Sequence, residues 1–185
     1  MFDIFDTKLG YTPSKNNAEF WEDGTIPWFR MDDIRENGHV LNNSLQHITN
    51  LAVKKGKLFD ANSIIESTSA TIGEHALIKV PFIANQRFLV FTIKDSWKQV
   101  IDMNYMNHYF FSVDEWCKNH VNSGSSFPSV DIEAFKKLEI ELPDLETQRI
   151  IANLLESYDD LIDVVSNKPG NLIKQKQSIM QTIFA

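Results

Sequence analysis

Ile151, Leu154, Tyr158, Leu161 and Val165 recur at steps of three and four residues, the spacing that lines one face of an α-helix with apolar side chains. Glu156, Asp159, Asp160 and Asp163 stay off that line. The pattern predicts a coiled-coil-type seam on a helix from Leu145 to Ser166, about 33 Å long at 1.5 Å per residue. An ordinary helix packed on its own domain fits the same periodicity, with Ile150, Leu155 and Ile162 widening the stripe. Asp144 stands where an N-cap belongs, and with Glu146 it places negative charge at the positive end of the helix dipole. Leu172 and Ile179 continue the series of sevens begun by Ile151, Tyr158 and Val165, so the phase extends towards Ala185. Pro169-Gly170 interrupts it; inside a helix the pair costs about 4 kcal/mol, and a kink or break is expected. A break would let Asn171 to Ala185 fold back and cover part of the seam.

Upstream the periods are shorter. Met1 to Asp6 alternates apolar and acidic residues and reads as a strand, and Gly10 to Asn17 reads as a turn-rich loop before a short helix from Asn16 to Trp21. Thr25 to Met31 predicts a buried strand. From Asp32 to about Asn50 the pattern is polar and weakly periodic, with short strands at His39 to Leu41 and Gln46 to Thr49. Ser63 to Glu66, Ala76 to Phe82 and Arg87 to Ile93 predict strands of a central sheet. The last two are joined through Asn85-Gln86. Ser67 to Gly73 is a loop of small hydroxylated residues. Ile101 to Val121 turns helical, with Met106, Tyr109, Phe110, Val113, Trp116 and Cys117 facing the sheet. After a polar loop over Asn122 to Ser129, a short helix from Asp131 to Lys136 precedes a strictly alternating strand, Leu138 to Leu142. The sum is an α+β chain: a globular domain with a mostly β core and packed helices over residues 1–142, then long coiled-coil-type helices over 143–185.

Composition narrows the class. The 185 residues hold 13 Phe and 4 Trp, enough to fill a core without covalent staples. The single cysteine, Cys117, excludes an internal disulfide, and neither CxxC nor HExxH occurs, so no metal ligation or redox chemistry is signalled. No phosphate or dinucleotide loop is present, and the five histidines have no Cys or Ser partner at a telling spacing. Catalysis, cofactors and metal are therefore not expected. No apolar run reaches membrane-spanning length, and a reducing, cytoplasmic setting is the default. The net charge of −7 argues against nucleic-acid binding, but it is uneven: −4 over residues 1–53, +3 over 54–98 and −6 over 99–185. A positive patch can exist on an acidic protein.

The order of local motifs adds a resemblance. Gly10-Tyr11-Thr12-Pro13-Ser14, Phe20-Trp21-Glu22-Asp23-Gly24-Thr25-Ile26-Pro27-Trp28, Ala70-Thr71-Ile72-Gly73, Asn85-Gln86, and Leu142-Pro143-Asp144-Leu145-Glu146-Thr147-Gln148 with Ile151-Ala152 together resemble one half of the specificity (S) subunit of a type I restriction-modification enzyme. The sequence departs from that family at Asp144 and Thr147, where a second proline and an acidic residue are common, and at Pro169-Gly170, where an unbroken helix is usual. The resemblance implies a target recognition domain, residues 1–142, and a helical conserved region, 143–185. It implies double-stranded DNA as ligand, and modification and restriction subunits as partners that supply adenine methylation and ATP-dependent cleavage.

With that implication, the residues expected at DNA are those whose side chains suit phosphates and base edges: Thr12, Ser14, Lys15 and Asn16; Arg30; Lys54, Lys55 and Lys57; Ser67, Thr68, Ser69 and Thr71; Gln86 and Arg87; Ser123, Ser125 and Ser126. Ile151, Leu154, Tyr158, Leu161 and Val165 are the expected helix interface, and an apolar seam of that size favours a homodimer. The alternative class is a helical oligomerisation or adaptor module that binds protein, which the acidic balance favours.

Overall fold

The computed structural model describes residues 1–122, 128–164 and 169–184. At its centre lies a sheet of five strands: β1 (Phe5–Leu9), β3 (Val40–Leu41), β5 (Ser63–Ser67), β6 (His75–Ile78) and β8 (Phe88–Ile93), in the order β1-β8-β5-β6-β3. Only the β3–β6 pair is parallel. β5 is buried along its whole length, which is why Ser63-Ile64-Ile65-Glu66 reads as a continuous run rather than an alternation. Ile64 joins Leu77, Leu89 and Phe91 under helix α2 (Met103–Asn119), against Tyr105, Met106, Phe110 and Val113. Ile65 joins Ala76, Ile78 and Val90 on the opposite face, under Phe29, Ile34, Phe59 and Phe82.

A second sheet orders β4 (His47–Ile48), β2 (Ile26–Phe29) and β7 (Ile83–Ala84) as β4-β2-β7. Its small core is Tyr11, Trp28, Ile48, Ala52 and Ile83. Helix α1 (Met31–Asn37) follows β2, and β9 (Val121–Asn122) pairs with β10 (Ser129–Val130) ahead of helix α3 (Ile132–Lys136).

Several expectations are corrected here. Met1 to Ile4 is a turn and the strand starts at Phe5. The expected strand at Ala76 to Phe82 ends at Ile78 as β6, ahead of Pro81, which cannot donate to a ladder, and β7 follows at Ile83 on the other sheet. β6 and β8 belong to the central sheet as expected, where both flank β5. Met31, read as the end of a strand, and residues 32–37, read as weakly periodic, form α1: buried Asp33 accepts the backbone N–H groups of Arg30 and Leu45, each at 2.6 Å. Leu138, Ile140 and Leu142 turn inward, alternating with exposed Glu139 and Glu141, yet this stretch joins no sheet among the described residues. Its alternation records burial of one side alone.

Helices α4 (Leu145–Val164) and α5 (Pro169–Phe184) close the chain. Asp144 caps α4 as expected: Oδ1 accepts the Thr147 N–H at 3.0 Å and Oδ2 the Thr147 hydroxyl at 2.8 Å, which holds its carboxyl below the usual range. Pro169 opens α5, the helical position where its missing N–H costs nothing. A single continuous helix would carry residue 176 about 25 Å beyond residue 159. Instead the Lys176 ammonium pairs with Asp159, and Phe184 packs edge-on against Tyr105 and Tyr109 of α2, at 5.5 and 5.3 Å. The second helix therefore returns along the first and does not extend its seam.

Candidate functional site

Gly10 is the residue on which the candidate site depends. A Cβ there would lie 2.2 Å from the Ala84 carbonyl oxygen and 2.3 Å from that of Asn85, so only glycine lets the chain leaving β1 run against the β7–β8 turn. Tyr11 fixes the crossing: its N–H donates to the Ala84 carbonyl at 2.7 Å, its hydroxyl donates to the Ala52 carbonyl at 2.6 Å, and the Lys54 N–H donates to that hydroxyl at 2.9 Å. The Trp28 indole N–H donates to the Tyr11 carbonyl at 3.1 Å. Thr12 is thereby brought to the turn, where its hydroxyl donates to Gln86 Oε1 and accepts from Asn85 Nδ2 at 3.2 Å.

A 370 Å³ cleft opens beside this junction, lined by residues of four segments: Thr12 and Lys15; Trp28, Arg30, Met31 and Asp32; Ser67 and Thr71; and Asn85 to Phe88. Lys15 Nζ lies 5.0 Å from the ring centres of both Trp21 and Trp28, and the Arg30 guanidinium stands 5.6 Å from the Trp28 ring. Arg30 also pairs with Asp32 at 3.3 Å, so Asp32 offsets one of the three cations. Arg87 is exposed and forms no ion pair with a described residue. The surface mixes hydroxyl, amide and guanidinium groups around an aromatic floor. It suits an anionic, hydrogen-bonding ligand.

Of the residues expected from sequence, the cleft brings together Thr12, Lys15, Arg30, Ser67, Thr71, Gln86 and Arg87. Ser14 and Asn16 are exposed on the same loop without lining it. Thr68 is buried, its N–H donating to the Arg87 carbonyl at 3.1 Å and its carbonyl accepting the Val130 N–H at 2.9 Å; Ser69 bridges to Ser129. These two build the loop and do not present side chains to the cleft. The three lysines also lie off it: Lys54 Nζ covers the Tyr11 ring at 5.0 Å, Lys57 Nζ donates to the Leu9 carbonyl, and Lys55 is exposed. Ser123, Ser125 and Ser126 lie outside the described residues. Sequence reasoning left out Asn85, Trp28, Met31, Asp32 and Phe88. Asn85 stood next to Gln86 in one of the quoted motifs and was the findable one.

The expected helix seam is split. Gln148, Ala152 and Leu155 form the buried face of α4, while Ile151 packs at the edge of the core and Tyr158 is half-buried. Leu154 is 45% and Leu161 49% exposed, with Ile150 at 61% beside them. Val165 lies outside the described residues. No helix among the described residues is long and apolar enough to cross a membrane.

Residues 2–174 match the family model described as "Type I restriction modification DNA specificity domain". The chain is 50% identical over 165 residues to the Escherichia coli type I restriction enzyme EcoprrI specificity subunit, an alignment covering 85% of this chain and 41% of that protein. It is 32% identical over 179 residues to the MjaIX specificity subunit of Methanocaldococcus jannaschii, covering 94% and 40%. The chain thus spans about two fifths of the length of these relatives. Among solved structures, the S subunit from M. genitalium aligns with a TM-score of 0.58 at 19% identity over 89% of this chain and 39% of its own, and the HsdS subunit from Thermoanaerobacter tengcongensis with 0.60 at 15% over 98% and 43%.

Proposed function

The chain belongs to the type I restriction modification DNA specificity domain family, and from that membership we propose that residues 1–142 read one part of a split DNA sequence while residues 143–185 form the helical segment that spaces and docks the reader. The chain carries no catalysis of its own in this reading. Adenine methylation and ATP-dependent cleavage come from modification and restriction subunits that it directs to double-stranded DNA in the cytoplasm. The observation that carries the reading is the cleft, where Gln86 and Arg87 on one turn and Thr12, Lys15 and Thr71 on two flanking loops face a common space. An exposed Arg suits guanine and an exposed Gln suits adenine in a major groove, while the hydroxyl and ammonium groups suit phosphates.

The acidic balance of the chain provides little non-specific attraction, so the isolated chain binds DNA weakly and tight binding requires the modification subunit. The exposed edge of α4, Ile150, Leu154 and Leu161, is the surface on which a second helical region pairs, supplied by the other half of a longer S subunit or by a second copy of this chain. Two copies about a twofold axis would read an inverted repeat with a fixed gap.

The test is methylation mapping in cells that express the chain with its modification subunit. A single bipartite motif methylated on adenine is expected, and Gln86→Ala with Arg87→Ala should abolish or relax it. Unchanged motif usage in both variants would remove the cleft from the reading surface.

A further inference from the structure

Glu66, His75 and Asp114 meet inside the fold. Glu66 on β5 and His75 on β6 are direct partners in the antiparallel register, and Asp114 reaches them from α2. Glu66 and His75 are wholly buried and Asp114 nearly so. One donor atom from each lies within 4.8 Å of the other two. His75 Nε2 is 2.8 Å from the Asn107 carbonyl oxygen and Nδ1 is 2.8 Å from Asp114 Oδ2. A carbonyl only accepts, so Nε2 carries the proton, and Nδ1 faces the two carboxylates. Neither oxygen of Glu66, nor Asp114 Oδ1, has a hydrogen-bond partner among the described residues.

Buried acceptors in that number are costly, and each calls for a donor or a cation. One proton shared between Glu66 and Asp114 Oδ1 serves that oxygen pair and leaves the second Glu66 oxygen with only the weak donor of the Cys117 thiol beside it. We propose that Glu66, His75 and Asp114 hold one divalent first-row transition-metal ion of the zinc type, at a site that fastens the base of the 67–74 loop to α2. One such ion serves all three side chains at once, and its double charge offsets two carboxylates. Ligand atoms around zinc lie at about 2.0 to 2.2 Å from the ion and so about 3.3 Å from one another, a spacing that the present separations bracket. The Asn107 carbonyl on Nε2 is the outer contact that aims an imidazole at a metal through its other nitrogen. An imidazole in a closed site disfavours magnesium and calcium, which take six or more oxygens. Burial and the nearby Asp114 push the Glu66 carboxyl well up from its usual range, so loading the site displaces a proton.

The location links the ion to the cleft. Ser67, which lines the cleft, follows Glu66 directly, and Thr71 lies on the same loop. At its far end Gly73 has φ +76°, and a Cβ there would stand 2.5 Å from the Asp114 carbonyl oxygen. Both ends of the loop are thus held to α2 around one point.

The full chain, refolded with excess zinc and then passed over a weak chelator, is expected to keep about one zinc per chain by elemental analysis, and cobalt in its place should give visible ligand-field bands. Glu66→Gln and Asp114→Asn should each lower retained zinc at least tenfold, with circular dichroism confirming that they fold. A strong chelator should lower the Tm of the wild type and leave Glu66→Gln unmoved. The proposal is overturned by a wild-type chain that retains no zinc and melts at one temperature with zinc or chelator. It is equally overturned by zinc content that survives both substitutions, which would place the ion elsewhere. None of these readouts depends on DNA binding.

Discussion

Gln148 is the best single place to test how the helical segment is held to the domain. Its side chain is wholly buried. Nε2 donates to the Val100 carbonyl at 3.0 Å and the Pro143 carbonyl at 2.9 Å, and Oε1 accepts the Asp102 N–H at 2.9 Å. Asp102 is itself the N-cap of α2, its Oδ1 accepting the N–H groups of Asn104 and Tyr105 at 2.9 and 3.1 Å. One amide therefore locks the first turn of α4 to the start of α2. Gln148→Ala removes three hydrogen bonds, each worth about 1 kcal/mol net, and leaves buried backbone groups unpaired beside a small void. A loss of about 3 to 4 kcal/mol is expected, close to 10 °C in Tm for a chain of this size.

Gln148→Glu sharpens the test. It keeps an acceptor for the Asp102 N–H but sets a buried carboxylate against two carbonyl oxygens. At neutral pH it should destabilise at least as much as alanine, and below about pH 5 protonation restores one donor and recovers part of the loss. Urea unfolding of the three proteins at two pH values measures both effects. A Gln148→Ala loss below about 1 kcal/mol would refute the reasoning, because three buried bonds cannot contribute so little together.

Gly10→Ala should cost about 3 kcal/mol through the contact with the Ala84 and Asn85 carbonyls, and should weaken DNA binding by the assembled complex even where the chain stays folded; a neutral Tm would show that the loop crossing is loose. Arg87→Glu should weaken complex binding and flatten its salt dependence by about one unit of slope, whereas Lys55→Glu, away from the cleft, should do much less in a gel shift with the modification subunit. Leu154→Glu with Leu161→Glu should leave monomer stability within about 0.5 kcal/mol, since both residues are exposed, while abolishing self-association in light scattering; a wild-type chain that is monomeric at high micromolar concentration would remove the second-copy pairing. Burial among Lys176, His75 and His39 pulls the His108 imidazole down to about 3. A folded-state value below the unfolded one means stability present above about pH 6.5 and lost on acidification towards pH 3, by up to about 1.4 kcal/mol per pH unit; His108→Gln should shallow that slope in pH-dependent unfolding.

The elements that could be read from sequence are those whose burial repeats locally. α2 and β5 are long or apolar enough for their pattern to decide, and Asp144 marks the start of α4 by the chemistry of its own side chain. α1 could not be read that way, because Asp33 stabilises it through Leu45, twelve positions away. The return of α5 was legible as a break at Pro169-Gly170 and the fold-back that such a break permits. Its direction is decided by Lys176 meeting Asp159 and Phe184 meeting Tyr105 and Tyr109, contacts with no periodic signature. The seam shows a related effect. Period alone selects a stripe, but α4 had two adjacent stripes, and the small Ala152 with the polar Gln148 made the better fit to α2 than the larger Leu154 and Leu161.

The cleft divides along the same line. Of the residues chosen by chemistry, Lys15, Arg30, Gln86 and Arg87 line the cleft, since side chains that carry charge or amide groups on loops are recognisable one at a time. The lysines at 54, 55 and 57 carry the same chemistry and lie off the cleft, because their placement depends on Tyr11 reaching Ala52 across more than forty positions. What assembles the cleft is a set of close backbone approaches: Gly10 on Ala84, Asn85 on Phe29, Thr68 on Arg87. A glycine in sequence announces freedom without saying what comes near it. The Glu66, His75 and Asp114 cluster is the extreme case. Glu66 reads as one residue of an apolar strand, Asp114 as one acid on a helix, and 39 positions separate it from His75. Neither short motif nor composition can expose such a site, because it exists only in the register of β5 on β6 and the seat of α2 across them.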